Sequence, residues 1–252
     1  MSILAVENLS KNYSGFQAVK GVSFALQAGE MLALIGPNGA GKSTCFNMIN
    51  GQLPPSGGRI RMFDRDVTGA PARAIWRLGV GRTFQIAATF GSMTVAENVQ
   101  VALLSHHSSW SGWRWAARAC AREASCLLAL VGMENQAERS CGELAYGDVK
   151  RLELAIALAN DPKLLLMDEP AAGMAPTERS ALMSLVSRIA RERTLGVLFT
   201  EHDMDAVFGH ADRILVLNRG ALIAEGPPAE IRSNRQVQEV YLGAGSLFGA
   251  AP

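Results

Sequence analysis

A surplus of either charge is missing: 24 Lys and Arg stand against 23 Asp and Glu, for a formal net charge of +1. Generic attraction to a nucleic-acid backbone is thereby excluded, because that binding needs a basic excess. Long apolar runs are missing too. No stretch approaches the ~20 consecutive apolar residues of a membrane-crossing helix, and MSILAVENLSK lacks the basic-then-apolar layout of a secretion signal. Work at a membrane would therefore need another chain to hold this one there. Cysteine is sparse: Cys45, Cys120, Cys126 and Cys141 form neither a CxxC pair nor a metal-spaced set, and read as reduced thiols of a cytosolic protein. Internal repeats and low-complexity tracts are lacking. What remains is ample core material, 48% hydrophobic against 19% charged residues over 252 positions, which excludes wholesale disorder. The length suits one large domain or two closely associated ones.

From Ile3 to Glu30, short alternating apolar runs such as Val22, Phe24 and Leu26 are broken at Ser14-Gly15 and Ala28-Gly29, a pattern of antiparallel strands. MLALI at 31–35 is continuously apolar and stops at Gly36-Pro37, as a strand buried on both faces does. A helix is expected over Lys42 to Asn50, with Gly51 as its stop. Between Ile86 and Gly142 strand patterns vanish. Thr94 with Glu97 makes a capping box that opens a helix bearing Val95, Val99 and Ala102, and a second helix is expected over Arg114 to Val131. Alternation then returns. It gives a helix over Lys150 to Ala159, strand LLLM at 164–167, and a helix from Pro176 with Leu182, Leu185, Val186 and Ile189 on one face. Strand VLFT at 197–200 follows, then a hairpin of Ile214 to Leu217 with Ala221 to Ala224 through Asn218-Arg219-Gly220. The whole reads as a parallel α/β core interrupted by a helical insertion.

The chemistry concentrates at three places. Gly36, Pro37, Asn38, Gly39, Ala40, Gly41, Lys42, Ser43 and Thr44 match GxxxxGK[ST] between an expected strand and an expected helix. Gly39 and Gly41 let the backbone approach and aim N–H groups at phosphate oxygens, and the helix adds its positive end. Lys42 reaches the β- and γ-phosphates and Ser43 can ligate Mg²⁺. A dinucleotide GxGxxG reading starting at Gly39 fails, because Thr44 stands at its last glycine. Asp168 and Glu169 follow LLLM at a strand's carboxyl end, where open α/β sheets place ligand sites. Asp168 suits Mg²⁺ and Glu169 the water that attacks the γ-phosphate. His202, in TEHDM, follows VLFT to the same edge and can hydrogen-bond the γ-phosphate.

Together these motifs resemble the nucleotide-binding subunit of an ABC transporter, over nearly the whole chain. The resemblance implies a P-loop NTPase (RecA-like) parallel-sheet core, an N-terminal antiparallel β subdomain and an inserted α-helical subdomain. On that pattern 1–85 and 149–231 form the nucleotide-binding core with its β subdomain, 86–148 the helical subdomain and 232–252 a C-terminal extension. It implies ATP with Mg²⁺, a second ATPase subunit, transmembrane permease subunits, indirectly a solute-binding protein, and residence on the cytoplasmic face of the inner membrane. Gln85, in GRTFQ, matches the Q-loop glutamine that touches Mg²⁺ and the attacking water where the membrane subunit docks. Tyr13 matches the aromatic that stacks on adenine, with Phe16 a rival. AAGMA at 171–175 occupies the D-loop position. Leu144, Ala145, Tyr146, Gly147 and Asp148 stand where the signature LSGGQ is, before a helix expected from Val149 or Lys150.

The signature departs from the family. Its serine and second glycine contact the γ-phosphate held by the opposite subunit, whereas Ala145 offers no hydroxyl and Asp148 adds a charge. One explanation is a heterodimer whose partner carries the complete motif. Tyr146, the run Asp168 to Gly173, the run Thr200 to Met204 and Tyr241-Leu242-Gly243 resemble the ATPases of branched-chain amino-acid importers. Importers for urea, amides or aromatic acids, an exporter, a soluble ATPase of translation or DNA maintenance, and a nucleotide-gated scaffold are the alternatives. Trp110, Trp113 and Trp115 beside His106 and His107 read as packing of the insertion, with partner contact an open second role and metal disfavoured by geometry. Arg59, Arg61, Arg65, Arg73 and Arg77 read as a solvated face.

Overall fold

The N-terminal alternation closes as a hairpin in the computed structural model, which describes residues 2–83, 89–107 and 113–242. Strands β1 (Ser2–Tyr13) and β2 (Phe16–Gln27) are joined by Ser14 and Gly15, whose φ of 42° and 93° give the left-handed backbone of a tight two-residue turn. The other edge of β1 pairs with β4 (Gly57–Met62), which turns into the short β5 (Arg65–Asp66), in the order β2-β1-β4-β5. Neither β4 nor β5 is evident from periodicity, because GGRIRM buries only part of one face.

The second sheet has six strands in the order β10-β9-β3-β8-β7-β6. These are β3 (Met31–Ile35), β6 (Val80–Thr83), β7 (Leu164–Asp168), β8 (Gly196–Thr200), β9 (Arg213–Asn218) and β10 (Ala221–Gly226). All neighbours are parallel except β9 and β10, the expected hairpin. Its turn uses Arg219 and Gly220 at φ 47° and 85°. The runs of apolar residues follow from burial on both faces. Met31, Ala33 and Ile35 join Leu165, Met167, Val197 and Phe199 in one core, under the helices. Leu32 and Leu34 join Leu164, Leu166 and Leu198 in another, against β1, β2 and the helix after the phosphate loop. A single Leu→Ala in either layer costs about 2–5 kcal/mol.

Helices α1 (Lys42–Ile49) and α2 (Ala72–Arg77) precede β6; α3 (Val95–His107), α4 (Trp113–Leu130) and α5 (Tyr146–Leu158) lie between β6 and β7. Then follow α6 (Pro176–Arg193), α7 (Met204–His210), α8 (Pro228–Ser233) and α9 (Arg235–Leu242). The capping box forms reciprocally: Thr94 N–H donates to Glu97 Oε2 at 2.8 Å and Glu97 N–H to Thr94 Oγ1 at 3.1 Å. Gly51, at φ 77°, stops α1 as expected. Helix α5 starts at Tyr146, before the expected Val149 or Lys150. Ala145 is its extended N-cap, and Asp148 sits in the first turn, where the helix dipole favours a carboxylate. Helix α9 carries an unexpected packing role, burying Val237 and Tyr241 in the core beneath the six-stranded sheet.

His106 meets Trp76 of α2 edge-on, with ring centroids 5.9 Å apart. Trp110, and the side chains of His107, Trp113 and Trp115, lie outside the described residues, as do residues 84–88 with Gln85, and 243–252. Arg59 and Arg61 form exposed ion pairs with Asp66 and Glu7, in line with a solvated face. Among the described residues no helix is long and apolar enough to cross a membrane.

All four cysteines are free; Cys45, Cys120 and Cys141 are buried and Cys126 is exposed. Burial pushes the Cys45 thiol up to about 12 and raises Cys120 as well. At neutral pH a maleimide is therefore expected to label Cys126 in the native protein and Cys45 only after denaturation, which peptide mass spectrometry checks.

Candidate active site

Parallel pairing brings three chain segments to one sheet edge. Leu34 pairs with Thr200, and Thr200 with Asp168, so β3, β8 and β7 end level with one another. The phosphate loop leaves β3 there. Gly36 has φ 156°, and a Cβ on it would stand 2.2 Å from the Leu217 carbonyl oxygen; one on Gly41, at φ 100°, would stand 2.6 Å from the Ala18 oxygen. Both positions therefore require glycine. The contact at Ala18 also sets the tip of the β1–β2 hairpin beside the loop. Tyr13 and Phe16 face each other across that tip, both exposed, with Lys11 Nζ 5.3 Å from the Tyr13 ring centre.

Lys42 opens α1 and is only 7% exposed. Its Nζ donates to the carbonyl oxygens of Gly36 at 2.7 Å and Pro37 at 3.2 Å. Burial lowers its pKa, against the pull of Glu169 and Asp168. An ammonium kept in such a place, at the rim of a glycine loop and a helix N-terminus, suits an anionic ligand.

Thr200 organises the carboxylates. Its hydroxyl donates to Asp168 Oδ1 at 2.6 Å and accepts from Glu169 N–H at 3.0 Å, while the Thr200 carbonyl also accepts from that N–H at 3.2 Å. Glu169 is held at φ 49°, a left-handed conformation that costs a non-glycine residue about 1–3 kcal/mol. Its Oε1 lies 2.8 Å from His202 Nε2. With Glu169 ionised, the ring nitrogen donates, so the carboxylate is aimed by the histidine and its backbone by the threonine. The half-exposed His202 ring and the more buried Glu169 carboxylate lie at the sheet edge.

Glu201, buried at 4% exposure, ties the neighbouring loops together. Oε1 accepts from Ala171 N–H at 2.9 Å and Oε2 from His202 N–H at 3.2 Å. Burial raises its pKa, opposed by these two hydrogen bonds and by Arg179. Arg179 pairs with Asp203 and donates to the Met174 carbonyl at 3.2 Å, bracing the same loop from α6. Thr200, Glu201 and Arg179 were not singled out as site residues in the sequence. A strand-end threonine or a lone glutamate carries no spacing signal, and only the sheet shows what each one touches.

Ala145, Tyr146 and Gly147 surround the start of α5, with Ala145 and Tyr146 exposed. Asp148 Oδ2 accepts from Gln136 Nε2 at 2.9 Å, so its charge is engaged within its own chain. Chain β6 ends at Thr83, paired with Met167 beside Asp168. Gln85, two residues further, lies outside the described residues. The groups that could hold a divalent cation are the Ser43 hydroxyl and the Asp168 carboxylate, hard oxygens suited to Mg²⁺. Among the described residues no group of three or more His, Cys, Asp or Glu side chains could hold a metal. Hard oxygen donors of this kind suit a cation that takes its remaining ligands from phosphate and water.

A phosphate loop on a parallel sheet, with an aimed carboxylate two strands away at the same sheet edge, defines a nucleotide-hydrolysing P-loop protein. A family model described as ABC transporter matches residues 19–172, and one described as branched-chain amino acid ATP-binding cassette transporter matches 221–246. The high-affinity branched-chain amino acid transport ATP-binding protein LivG of Salmonella typhimurium is 41% identical over 249 residues, 96% of this chain and 98% of its own. BraF of Pseudomonas aeruginosa, of the same description, is 39% identical over the same shares. A phosphonates import ATP-binding protein, PhnC 2, of Haloarcula marismortui is 36% identical over 97% of this chain and 92% of its own. A nucleotide-free ATP-binding cassette from an ABC transporter superposes with a TM-score of 0.83 at 30% identity, covering 96% of this chain and 99% of its own. The chain belongs to the ABC transporter family, as one of its ATPase subunits.

Removing the Thr200 hydroxyl while keeping its shape isolates its two hydrogen bonds. Thr200→Val is expected to lower ATP hydrolysis about ten- to a hundredfold with ATP affinity changed less than about threefold. Steady-state kinetics and calorimetric titration of ATP check this.

Proposed function

We propose that this subunit hydrolyses ATP to drive a membrane importer for branched-chain amino acids or related small solutes. The observation that carries the reading is Glu169, aimed by Thr200 and His202 beside a phosphate loop. The full-length relationship to branched-chain amino acid transport ATP-binding proteins and the C-terminal family match over 221–246 support the solute class. The phosphonate-import relative supports keeping a different small solute as the second reading.

In this reading the backbone N–H groups of residues 39–44 and the N-terminus of α1 bind the ATP phosphates. Lys42 exchanges its carbonyl partners for β- and γ-phosphate oxygens, and Tyr13 or Phe16 stacks on adenine. Ser43, Asp168 and Gln85 would hold Mg²⁺, which supplies charge neutralisation on the transferring phosphoryl group. Glu169 accepts a proton from the water that attacks the γ-phosphorus, and His202 fixes Glu169 and reaches the γ-phosphate. Ala145, Tyr146 and Gly147 face the ATP of a second ATPase subunit. Residues 1–85 and 149–231 act as the catalytic core and 86–148 as the helical subdomain that meets the permease on the cytoplasmic face of the membrane. The missing hydroxyl at Ala145 favours a different ATPase as partner, one with a complete signature.

Glu169→Gln is expected to bind Mg-ATP with affinity near wild type and to hydrolyse it at least about a hundredfold more slowly. Turnover per molecule across a range of protein concentrations measures both this and dimerisation. A rate that climbs with concentration marks self-pairing; binding without turnover at every concentration marks an obligatory different partner.

A further inference from the structure

Tyr146 makes a contact that the family's glycine at this position has no side chain to make. Its hydroxyl donates to the Ala172 carbonyl oxygen at 3.1 Å, joining the first residue of α5 to the loop that follows Glu169. The ring lies against Gly173, whose φ is 78°: a Cβ there would stand 3.6 Å from the ring's Cε1. Lys150 Nζ stands over the ring, 5.5 Å from its centre. Lys150 is itself fixed by a buried ion pair with Glu153 at 3.0 Å, so the ring is held by an immobile cation. The tyrosine is half exposed, and its order comes from these contacts rather than from burial.

Ala172 is the pivot. Its carbonyl is held by Tyr146, and its N–H donates to the Glu169 carbonyl at 3.2 Å. The loop is braced from two other elements: Ala171 N–H by Glu201 from the end of β8, and the Met174 carbonyl by Arg179 from α6. Tyr146 supplies the tie to α5, the helix that lies between β6 and β7 with α3 and α4. The residue that carries the proposed base, in its left-handed conformation, is therefore two hydrogen bonds from the helix that begins within the signature.

We propose that Tyr146 is a positioning residue for Glu169 of its own chain, setting the 169–174 loop through its hydroxyl so that turnover senses the orientation of α5. The proposal rests on Glu169 being the general base. It assigns Tyr146 a role within the chain, beside the one expected toward the ATP of a second subunit. A phenol on a backbone carbonyl is a neutral hydrogen bond, so its loss changes rate moderately and leaves the fold intact.

The test uses the full chain with Tyr146→Phe, which removes only the hydroxyl. Amide hydrogen exchange of residues 171–174 is expected to rise severalfold, with exchange in β3 and β8 and the melting temperature unchanged. Where the wild type turns over, kcat is expected to fall about three- to tenfold with KM for ATP unchanged. Exchange equal to wild type at residues 171–174 overturns the proposal, whether or not the isolated chain is active. A raised KM at unchanged kcat overturns it also, marking Tyr146 as a nucleotide contact only. Wild-type turnover retained by Glu169→Gln would instead sink the assignment of the base, and the exchange result still decides whether the hydroxyl holds the loop.

Discussion

Everything at the site depends on the parallel register of β3, β8 and β7. A parallel sheet returns each strand in the same direction through a crossover, so the carboxyl ends of its strands collect at one edge. Here that edge receives the phosphate loop from β3, Asp168 and Glu169 from β7, and Thr200 through His202 from β8. The pairing of Thr200 with Asp168 is close enough for a 2.6 Å hydrogen bond between their side chains. A slip of one residue would turn the Thr200 side chain to the opposite face and break that bond. The apolar residues of these strands, buried in two separate cores, are what hold the register.

Around that edge the protein keeps groups in states that isolated residues avoid. Lys42 is an ammonium nearly cut off from water, its charge favoured by Glu169 and Asp168 and its protons given to loop carbonyls. Glu169 has a left-handed backbone, stabilised because both the hydroxyl and the carbonyl of Thr200 accept from its N–H. Glu201 is a buried carboxylate held by two backbone N–H groups. Each is a local cost that surrounding hydrogen bonds offset, and each sits at the sheet edge of the candidate site, where preorganised charge is most useful.

The region of the signature illustrates how a departure in sequence is absorbed in structure. Asp148 adds a charge, yet it lies in the first turn of α5, where the helix dipole favours it, and binds Gln136. Tyr146 replaces a glycine with a bulky ring, yet the ring finds Gly173 and Ala172 opposite. Ala145 is different, because a lost hydroxyl has no substitute from its own side chain and its position stays exposed.

Much of the fold is legible in the residues. GPNGAGKST, MLALI, LLLM and VLFT identify the core because a phosphate loop needs particular residues at a fixed spacing and a doubly buried strand needs a continuous apolar run. The Thr94–Glu97 capping box formed for the same local reason. Less regular elements stayed silent: β4, β5, β6 and α2 are short, and α5 begins earlier than its apolar pattern because its first turn is polar. Lys42, Asp168, Glu169 and His202 could be named from the sequence, since each stands at a motif or at the end of an apolar run. That Thr200 holds Glu169, that Glu201 and Arg179 brace the following loop, and that Tyr146 reaches Ala172 are contacts between residues distant in the chain. Local pattern decided which residues are candidates for the chemistry; strand register and helix packing alone decided which of them touch, because a hydrogen bond depends on ångström distances that residue spacing does not encode.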